Sequence, residues 1–215
     1  MIVNERFSAY IDTLNTGNSG ELYELEKEAI ATYVPIIRSE TQNFIKTILN
    51  LKKPTAILEV GTAIGFSAVF MIKNNPVDCH ITTIENYEKR IPIAKANFER
   101  FKVSDRVTLL EGDAADILKE LDGQFDLIFM DAAKGQYIKF YDDCKRLLKP
   151  NGILLSDNIL QEGDIIESHY TIERRNRTIY HRMRDYLRLL THDDDVTTSI
   201  VPIGDGVAFT VLKEK

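Results

Sequence analysis

From residue 55 onwards, the chain alternates between short apolar runs and amphipathic stretches. The runs that predict buried strands are 55–60, 80–85, 106–112, 125–131 and 152–158. Apolar residues recur at helical spacing between these runs. The segments that this spacing predicts as helices are 65–75, 87–101, 113–121 and 137–148. Strict alternation of strand and helix is typical of an α/β protein with a parallel sheet and helices on both faces.

The two ends of the chain depart from this alternation. Residues 1–50 predict helices, with a turn near 35–38 because Pro35 interrupts the first apolar run. Residues 172–191 predict a long helix, and a Gly-Asp-Gly turn then joins two strands at 195–201 and 206–213. A final hairpin cannot be a parallel crossover, so the sheet should be mixed. Because no linker or repeat is visible, we expect one domain over residues 1–215.

Composition and charge exclude some classes of protein. Of the 215 residues, 44% are hydrophobic and 28% are charged, which is typical of a soluble globular protein. No segment reaches the ~18 apolar residues that a membrane span needs, and no signal peptide is visible. Cys79 and Cys144 show neither metal-ligand nor disulfide spacing, so we expect buried thiols and a cytoplasmic protein without membrane association. The net charge of −6 argues against indiscriminate coating of nucleic acid, while a local basic patch stays compatible with it.

The string ILEVGTAIGFSA at 57–68 predicts a strand, a glycine loop and the start of a helix. Gly61 would allow a tight turn and close approach of a ligand to the backbone. The dinucleotide fingerprint G-x-G-x-x-G fails because Ala63 stands at its second glycine. Glu59, just before the loop, would suit a cationic ligand such as a methionyl ammonium and would disfavour a pyrophosphate.

Acidic residues also end the next two predicted strands. Glu85 follows Gly61 by 24 residues, where a carboxylate can accept both hydroxyls of a ribose. The alternative is a solvated residue at the end of a strand. Gly112 and Asp113 form a third loop on the same edge, where small residues and a carboxylate could admit an adenine ring and bind its amino group.

Two further predicted strands end in oxygen ligands. Asp131 closes one, and Asp157 with Asn158 closes the other, and parallel topology should bring these ends to one edge. Two carboxylates and an amide oxygen suit a hard cation such as Mg²⁺; the alternative is that one aspartate only caps a helix. Lys134 could accept a proton because a nearby divalent cation would lower its pKa, or it could be an ordinary surface lysine.

These residues together resemble the cation-dependent O-methyltransferases, the family of catechol and caffeoyl-CoA O-methyltransferases. The resemblance rests on ILEVGTAIGFSA, Glu85, FDLIFMDAAKGQY and LLSDN, and covers roughly residues 35–213. It implies a Rossmann-like, seven-stranded mixed sheet with an antiparallel last strand, S-adenosylmethionine as methyl donor, and a divalent metal bound by Asp131, Asp157 and Asn158. It makes Lys134, beside Asp131, the general base. The donor-site residues that it implies are Ile37, Glu59, Gly61, Ser67, Glu85, Gly112, Asp113 and Asp131.

Two features of the chain bear on the acceptor. Catechol enzymes frame a flat substrate with tryptophans, and this chain has none. The C-terminal third looks more like bacterial tRNA 5-hydroxyuridine methyltransferases, and residues 172–188 combine six arginines with two acidic residues for a net charge of +4. Tyr170, Tyr180 and His181 could stack an unpaired base. The predicted RNA contacts are Arg174, Arg175, Arg177, Arg182 and Arg184, with Arg188 beyond them.

Several functional hypotheses stay open on this sequence. The first is methylation of 5-hydroxyuridine to 5-methoxyuridine at the tRNA anticodon wobble position. The second is methylation of a small catechol or phenol, in which case the arginines form a solvated helix face or a dimer surface. The third is an inactive RNA-binding protein on a methyltransferase scaffold, which the intact set of acidic residues and lysine disfavours. The family resemblance also suggests a homodimer.

Overall fold

A computed structural model describes residues 5–214 of the chain and gives eight helices and seven strands within that range. The helices, α1 to α8, are Glu5–Leu14, Gly20–Ala31, Ser39–Lys52, Phe66–Asn74, Ile91–Arg100, Ala114–Glu120, Tyr137–Leu147 and Arg177–His192. The strands, β1 to β7, are Ala56–Val60, His80–Glu85, Val107–Glu111, Phe125–Met130, Leu148–Ser156, Val196–Val201 and Val207–Leu212.

The strands form one sheet in the order β3-β2-β1-β4-β5-β7-β6. The first five strands run parallel to one another, and β7 runs antiparallel to both β5 and β6. The predicted mixed sheet with a reversed last strand is therefore confirmed. The strand order changes direction between β1 and β4, the point at which open α/β sheets bind ligands.

Two apolar layers pack against the two faces of the sheet. Alternate residues of β1 belong to opposite layers: Ile57 packs with α3 and α4, while Leu58 and Val60 pack with α7 and α8. This alternation follows from the two-residue period of a strand. Cys79 and Cys144 are buried and unpaired, as expected. Within residues 5–214, no helix has both the length and the apolar character needed to cross a membrane.

The structure differs from the predicted elements at three places. The first 50 residues contain three helices, of which α1 (Glu5–Leu14) has no counterpart in the predicted apolar pattern. Strand β5 begins at Leu148, four residues before the predicted start, and its register against β4 shifts between Phe125 and Leu127. Helix α8 begins at Arg177 and not at residue 172. Residues 172–176 form turns, so Arg174 and Arg175 lie in the segment that leads into the helix.

The reversal of β7 determines which segments reach the ligand-binding edge. Parallel strands β1, β2, β4 and β5 all end there, and an antiparallel strand in the same sheet begins there. Ser156 at the end of β5 pairs with Ala208 near the start of β7. The turn before β7, Ile203–Gly206, is therefore brought to the same edge as the segment that follows β5.

Candidate active site

A cavity of about 650 Å³ opens at the carboxyl edge of the parallel strands. This volume is in the range of small-molecule sites in proteins. Its lining includes most of the residues that the sequence singles out for the donor, the metal and the general base, and none of those singled out for RNA. The predicted residues that line it are Ile37, Gly61, Ser67, Glu85, Gly112, Asp113, Asp131, Lys134, Asp157 and Asn158.

Gly61 fixes the shape of the cavity floor. Its φ of +105° is a conformation that residues with a side chain rarely adopt. A Cβ at this position would lie 2.3 Å from the backbone oxygen of Asp131. Strands β1 and β4 are neighbours, so the glycine lets the end of β4 approach the loop after β1. Gly61 therefore leaves room at the cavity floor, and it also allows the close approach that sets the position of Asp131.

Glu59 lies one layer behind the cavity wall. It is fully buried and does not line the cavity; Ser67, which does, contacts Glu59 through its hydroxyl. Thr83 Oγ1 donates to the other oxygen of Glu59 at 2.5 Å. Burial raises the pKa of Glu59 from 4.5 to about 7, although bonds from Ser67 and Thr83 oppose the shift. The predicted interaction of Glu59 with a cationic ligand would therefore act through Ser67.

The raised pKa of Glu59 predicts how stability depends on pH. The folded protein retains a proton on Glu59 up to about pH 7, whereas the unfolded chain has released it above about pH 5, so the free energy of unfolding is lower at pH 8 than at pH 5. Glu59→Gln should reduce this loss by on the order of 2 kcal/mol, measured by urea unfolding at both pH values. Glu111→Gln, which changes a half-exposed carboxylate on β3, should leave the loss as in the wild type. Equal losses in Glu59→Gln and the wild type would contradict the prediction.

The Glu85 carboxylate is held in one orientation by three backbone amides. Oε2 accepts from the amide of Ala63 at 2.7 Å, and Oε1 accepts from those of Asn86 and Tyr87 at 3.0 and 2.9 Å. The side chain therefore spans the loops after β1 and β2 at the cavity wall. Such an oriented carboxylate suits the two hydroxyls of a ribose, the role predicted for it.

Asp113 caps a helix and also lines the cavity. It is the N-cap of α6, and its Oδ1 accepts from the amide of Ala115 at 2.8 Å. It also lines the cavity together with Gly112. The cap fixes the carboxylate relative to α6, so that the loop presents it beside the place predicted for an adenine ring.

The predicted metal ligands meet at the ends of two neighbouring strands. The Asp157 amide donates to the Met130 carbonyl at 3.0 Å, and Asn158 Nδ2 donates to Asp131 Oδ1 at 3.2 Å. Tyr137, fully buried beneath them, donates its hydroxyl to the Asp157 carbonyl at 3.0 Å. Asn158 adopts a φ of +57°, a left-handed conformation that asparagine tolerates better than most residues.

The chemistry of this donor set fits a divalent cation. Burial raises the pKa of Asp131, and burial together with the charge of Asp131 raises the pKa of Asp157. Two buried carboxylates that repel each other would be stabilised by a shared positive ion. Within residues 5–214, no three His, Cys, Asp or Glu side chains form a metal-binding group, and the set here has two carboxylates and one amide. The metal itself stays a prediction.

Lys134 has a partner that no sequence pattern indicates. Its Nζ donates to Asp205 Oδ2 at 2.9 Å, and the Asp205 side chain is only 2% exposed. In the sequence, Asp205 is the middle residue of a Gly-Asp-Gly turn. Aspartate is common at such positions because its side chain stabilises the turn. Its role beside the cavity depends on a contact between residues 71 positions apart, which no local pattern indicates.

The basic segment packs against the loop that carries Lys134. Arg182 donates to the carbonyl of Gly135 at 3.1 Å, Arg184 to that of Ile165 at 3.1 Å, and Arg177 to that of Ile172 at 3.1 Å. Arg175 pairs with Glu173 at 2.7 Å. The side chains of Arg174 and of Arg188, farther along α8, make no ion pair or hydrogen bond to another described residue. Much of the charge is thus also used to hold α8 and its flanking turns in place.

The aromatic residues of this segment differ in accessibility. Tyr170 is 83% exposed and His181 is exposed, whereas Tyr180 is 4% exposed. The Tyr180 hydroxyl donates to the carbonyl of Glu167 at 2.9 Å and accepts from Arg184. The expectation that Tyr180 stacks on a base is therefore wrong, because its ring is part of the packing between α8 and the turns before it.

The comparison with known proteins agrees with this geometry. A family model described as O-methyltransferase matches residues 13–213. The chain belongs to the O-methyltransferase family. The prediction of a methyltransferase enzyme, made from the strand-end residues and the resemblance that they carry, is confirmed.

Individual relatives of this O-methyltransferase are distant in sequence and close in structure. Catechol O-methyltransferase from Niastella koreensis is 30% identical over 132 residues, a match that spans 60% of this chain and 60% of that relative. A candidate caffeoyl-CoA O-methyltransferase from Staphylococcus aureus is 31% identical, with a TM-score of 0.88 over 95% of this chain and 98% of that one. The SAH-bound methyltransferase PaMTH1 from Podospora anserina is 29% identical, with a TM-score of 0.86 over 98% of this chain and 95% of that one.

Proposed function

We propose that this protein transfers a methyl group from S-adenosylmethionine to an oxygen of an acceptor that presents two adjacent oxygens, with a divalent cation such as Mg²⁺. The observation that carries the proposal is one cavity lined by both the donor-type residues Ser67 and Glu85 and the metal-type residues Asp131, Asp157 and Asn158. The SAH found in the Podospora anserina structure supports the choice of donor.

The residues of the chain mainly have to align the reacting centres, because a sulfonium is already a good leaving group. Glu85 and Asp113 orient the nucleoside end of the donor, and Ser67 faces its methionyl end. A divalent cation, when bound, stabilises an acceptor oxyanion. Asp131, Asp157 and Asn158 would hold this cation through their side-chain oxygens. Lys134, or a water molecule, takes the acceptor proton on the same side of the cavity.

For the acceptor we propose 5-hydroxyuridine in the anticodon region of tRNA, whose 5-hydroxyl and 4-carbonyl are adjacent oxygens. The support is the position of the basic segment: Arg182 contacts Gly135, the residue after Lys134, so α8 borders the acceptor side of the cavity. The exposed Tyr170 and Arg174 lie in the turns that lead into this helix. A phosphate backbone and an unpaired base would find charge and an aromatic ring there.

A second candidate is a small catechol or a caffeoyl-CoA-like phenol. It is favoured by the printed names of the relatives, and catechol also offers two adjacent oxygens. Mass spectrometry of tRNA nucleosides from cells with and without the gene separates the candidates. Accumulation of 5-hydroxyuridine in cells lacking it supports the tRNA acceptor. Unchanged 5-methoxyuridine there, with fast methylation of catechol by the purified protein, supports the small molecule.

The tRNA proposal makes a prediction about two arginines whose side chains make no hydrogen bond or ion pair to another described residue. Reversing the charge of Arg174 and Arg188 together should raise the KM for tRNA about tenfold and weaken its salt dependence, because two contacts to phosphates are lost. Turnover of a small catechol should not change. The control reverses Lys27 and Lys119, two exposed lysines elsewhere, which alters the net charge equally. The same loss in the control would show an effect of net charge alone.

We also propose that the protein forms a homodimer. Helix α1 exposes a row of large apolar side chains at helical spacing, a pattern that ordinarily faces another surface. The exposed side chains of this row are Phe7, Tyr10, Ile11 and Leu14. A second copy of the chain would cover them.

A further inference from the structure

Asp205 connects three segments around the acceptor side of the cavity. One oxygen accepts from Lys134 Nζ at 2.9 Å, and the other accepts from the amide of Glu162 at 2.5 Å. The Asp205 carbonyl accepts from the amide of Leu160 at 2.9 Å. The loop after β4, the segment after β5 and the turn before β7 therefore all meet at one side chain.

The turn around Asp205 is shaped to receive the segment that follows β5. Gly206 has a φ of +82°, and a Cβ there would lie 2.3 Å from Leu160 Cγ. The Gly206 carbonyl accepts from the amide of Ile159 at 3.1 Å. Ile159 directly follows Asn158, so the same turn supports the backbone next to the predicted metal ligands.

The burial of Asp205 needs a physical reason. An aspartate in a hairpin turn is ordinarily solvated, whereas this one is 2% exposed and both of its oxygens accept hydrogen bonds. Burying a carboxylate is costly unless hydrogen-bond donors replace its water, and here Lys134 and the Glu162 amide are those donors. A lysine side chain has many rotamers, and a buried partner restricts them. The contact thus fixes Lys134 Nζ on the cavity wall that also contains Asp157 and Asn158.

We propose that Asp205 is a positioning residue for methyl transfer: it holds Lys134 where the acceptor hydroxyl arrives. The proposal rests on the proposed O-methyltransferase function. Asp205 acts through Lys134 and through the segment after β5, the two groups whose donors its carboxylate accepts. Without it, Lys134 would sample many positions, and misplacement by about 1 Å can cost about 100-fold in rate.

The first test measures kinetics on the nearly isosteric variant Asp205→Asn. We expect kcat to fall by about 10- to 100-fold, while the affinity for S-adenosylhomocysteine, measured by calorimetry, stays within about threefold of the wild type. The control is Asp193→Asn, because Asp193 also accepts from a lysine, Lys145 at 2.7 Å, and does not line the cavity. A kcat loss of the same size in the control would overturn the proposal.

A double-mutant cycle tests whether Asp205 acts through Lys134. Lys134→Met alone should lower kcat, and adding Asp205→Asn should lower it little further, because the interaction is already absent. Losses that multiply would show that Asp205 acts independently of Lys134 and would overturn the proposal.

Lysine labelling tests the contact without any acceptor. Reductive methylation followed by peptide mass spectrometry should modify Lys134 severalfold faster in Asp205→Asn than in the wild type, while the exposed Lys139 and the Asp193→Asn control show no change. Unchanged Lys134 labelling would overturn this proposal and leave the proposed function standing. If the wild type methylates no acceptor with adjacent oxygens, the proposed function fails, and the role of Asp205 in transfer fails with it.

Discussion

Replacing Asp157 with asparagine is expected to lower methyl transfer about a thousandfold and, at the same time, to raise the melting temperature of the metal-free protein. The rate falls because a carboxylate ligand is lost, and several kcal/mol of oxyanion stabilisation correspond to about three factors of ten. The stability rises because burial and the charge of Asp131 raise the pKa of Asp157, so its ionised form is disfavoured in the folded state. Differential scanning fluorimetry and a transfer assay measure the two effects.

The gain in stability should depend on pH with a definite sign. A carboxyl group with a raised folded-state pKa stabilises the fold at low pH and destabilises it as pH rises. Asp157→Asn should therefore raise the melting temperature by about 3 to 6 °C at pH 8 and very little at pH 5. A lower melting temperature at pH 8 would contradict the assignment of Asp157 as an uncompensated buried charge.

Asp126, on the neighbouring strand β4, provides the matched control. Burial alone would raise the pKa of Asp126. Hydrogen bonds from the Ala56 amide, Lys149 and Thr55 outweigh burial and hold this pKa down at about 2. Asp126→Asn should therefore lower the melting temperature at pH 8 and leave the transfer rate of the folded protein unchanged. The two substitutions are chemically identical and are expected to have opposite effects on stability.

Gly61→Ala is expected to cause the largest loss of stability among single substitutions near the cavity. The new Cβ would lie 2.3 Å from the backbone oxygen of Asp131 and 3.0 Å from its carbonyl carbon, so no side-chain rotation can relieve the overlap. Overpacking of about 1–3 kcal/mol adds to about 1–2 kcal/mol for the left-handed φ. The summed loss of about 2–5 kcal/mol corresponds to a fall of roughly 4 to 20 °C in melting temperature.

Gly123→Ala is the control that separates the steric overlap of a new Cβ from the cost of the left-handed backbone conformation. Gly123 has a comparable φ of +124°, but a Cβ there would come no closer than 3.9 Å to its neighbours. The loss of stability in Gly123→Ala should be limited to the cost of the backbone conformation, and the rate of methyl transfer should be unaffected. If Gly61→Ala destabilised the protein no more than Gly123→Ala, overlap with the Asp131 backbone would not contribute to the loss of stability, which would contradict the prediction.

The elements of the sheet could be predicted because their sequence signal is local. Each parallel strand is an apolar run, and ligand-type residues such as Glu85, Asp131 and Asp157 end these runs where parallel topology brings them together. The reversed last strand followed from the hairpin at 195–213. The helical character of residues 1–50 was predicted, but the bounds of α1 were not, because its apolar residues do not enter the core and its pattern resembles no buried helix.

Contacts between distant segments could not be predicted from the sequence. The burial of Asp205 depends on the segment after β5 folding over the turn before β7, and the sequence shows only a glycine-flanked aspartate. The arginines of 174–184 show the same limit, because a local excess of charge does not reveal that Arg182 and Arg184 bind backbone carbonyls. Local pattern indicates which groups reach the edge of the sheet, and packing decides which of them are paired.

The antiparallel course of β7 has a consequence for folding during synthesis. The ribosome makes Lys134 and the predicted metal ligands before the hairpin of β6 and β7, and Asp205 follows Lys134 by 71 positions. Until that hairpin emerges and inserts beside β5, one edge of β5 is unpaired and the acceptor side of the cavity lacks a wall. A nascent chain stalled before the hairpin should therefore be open to proteases at the segment after β5, even when the parallel strands have already formed.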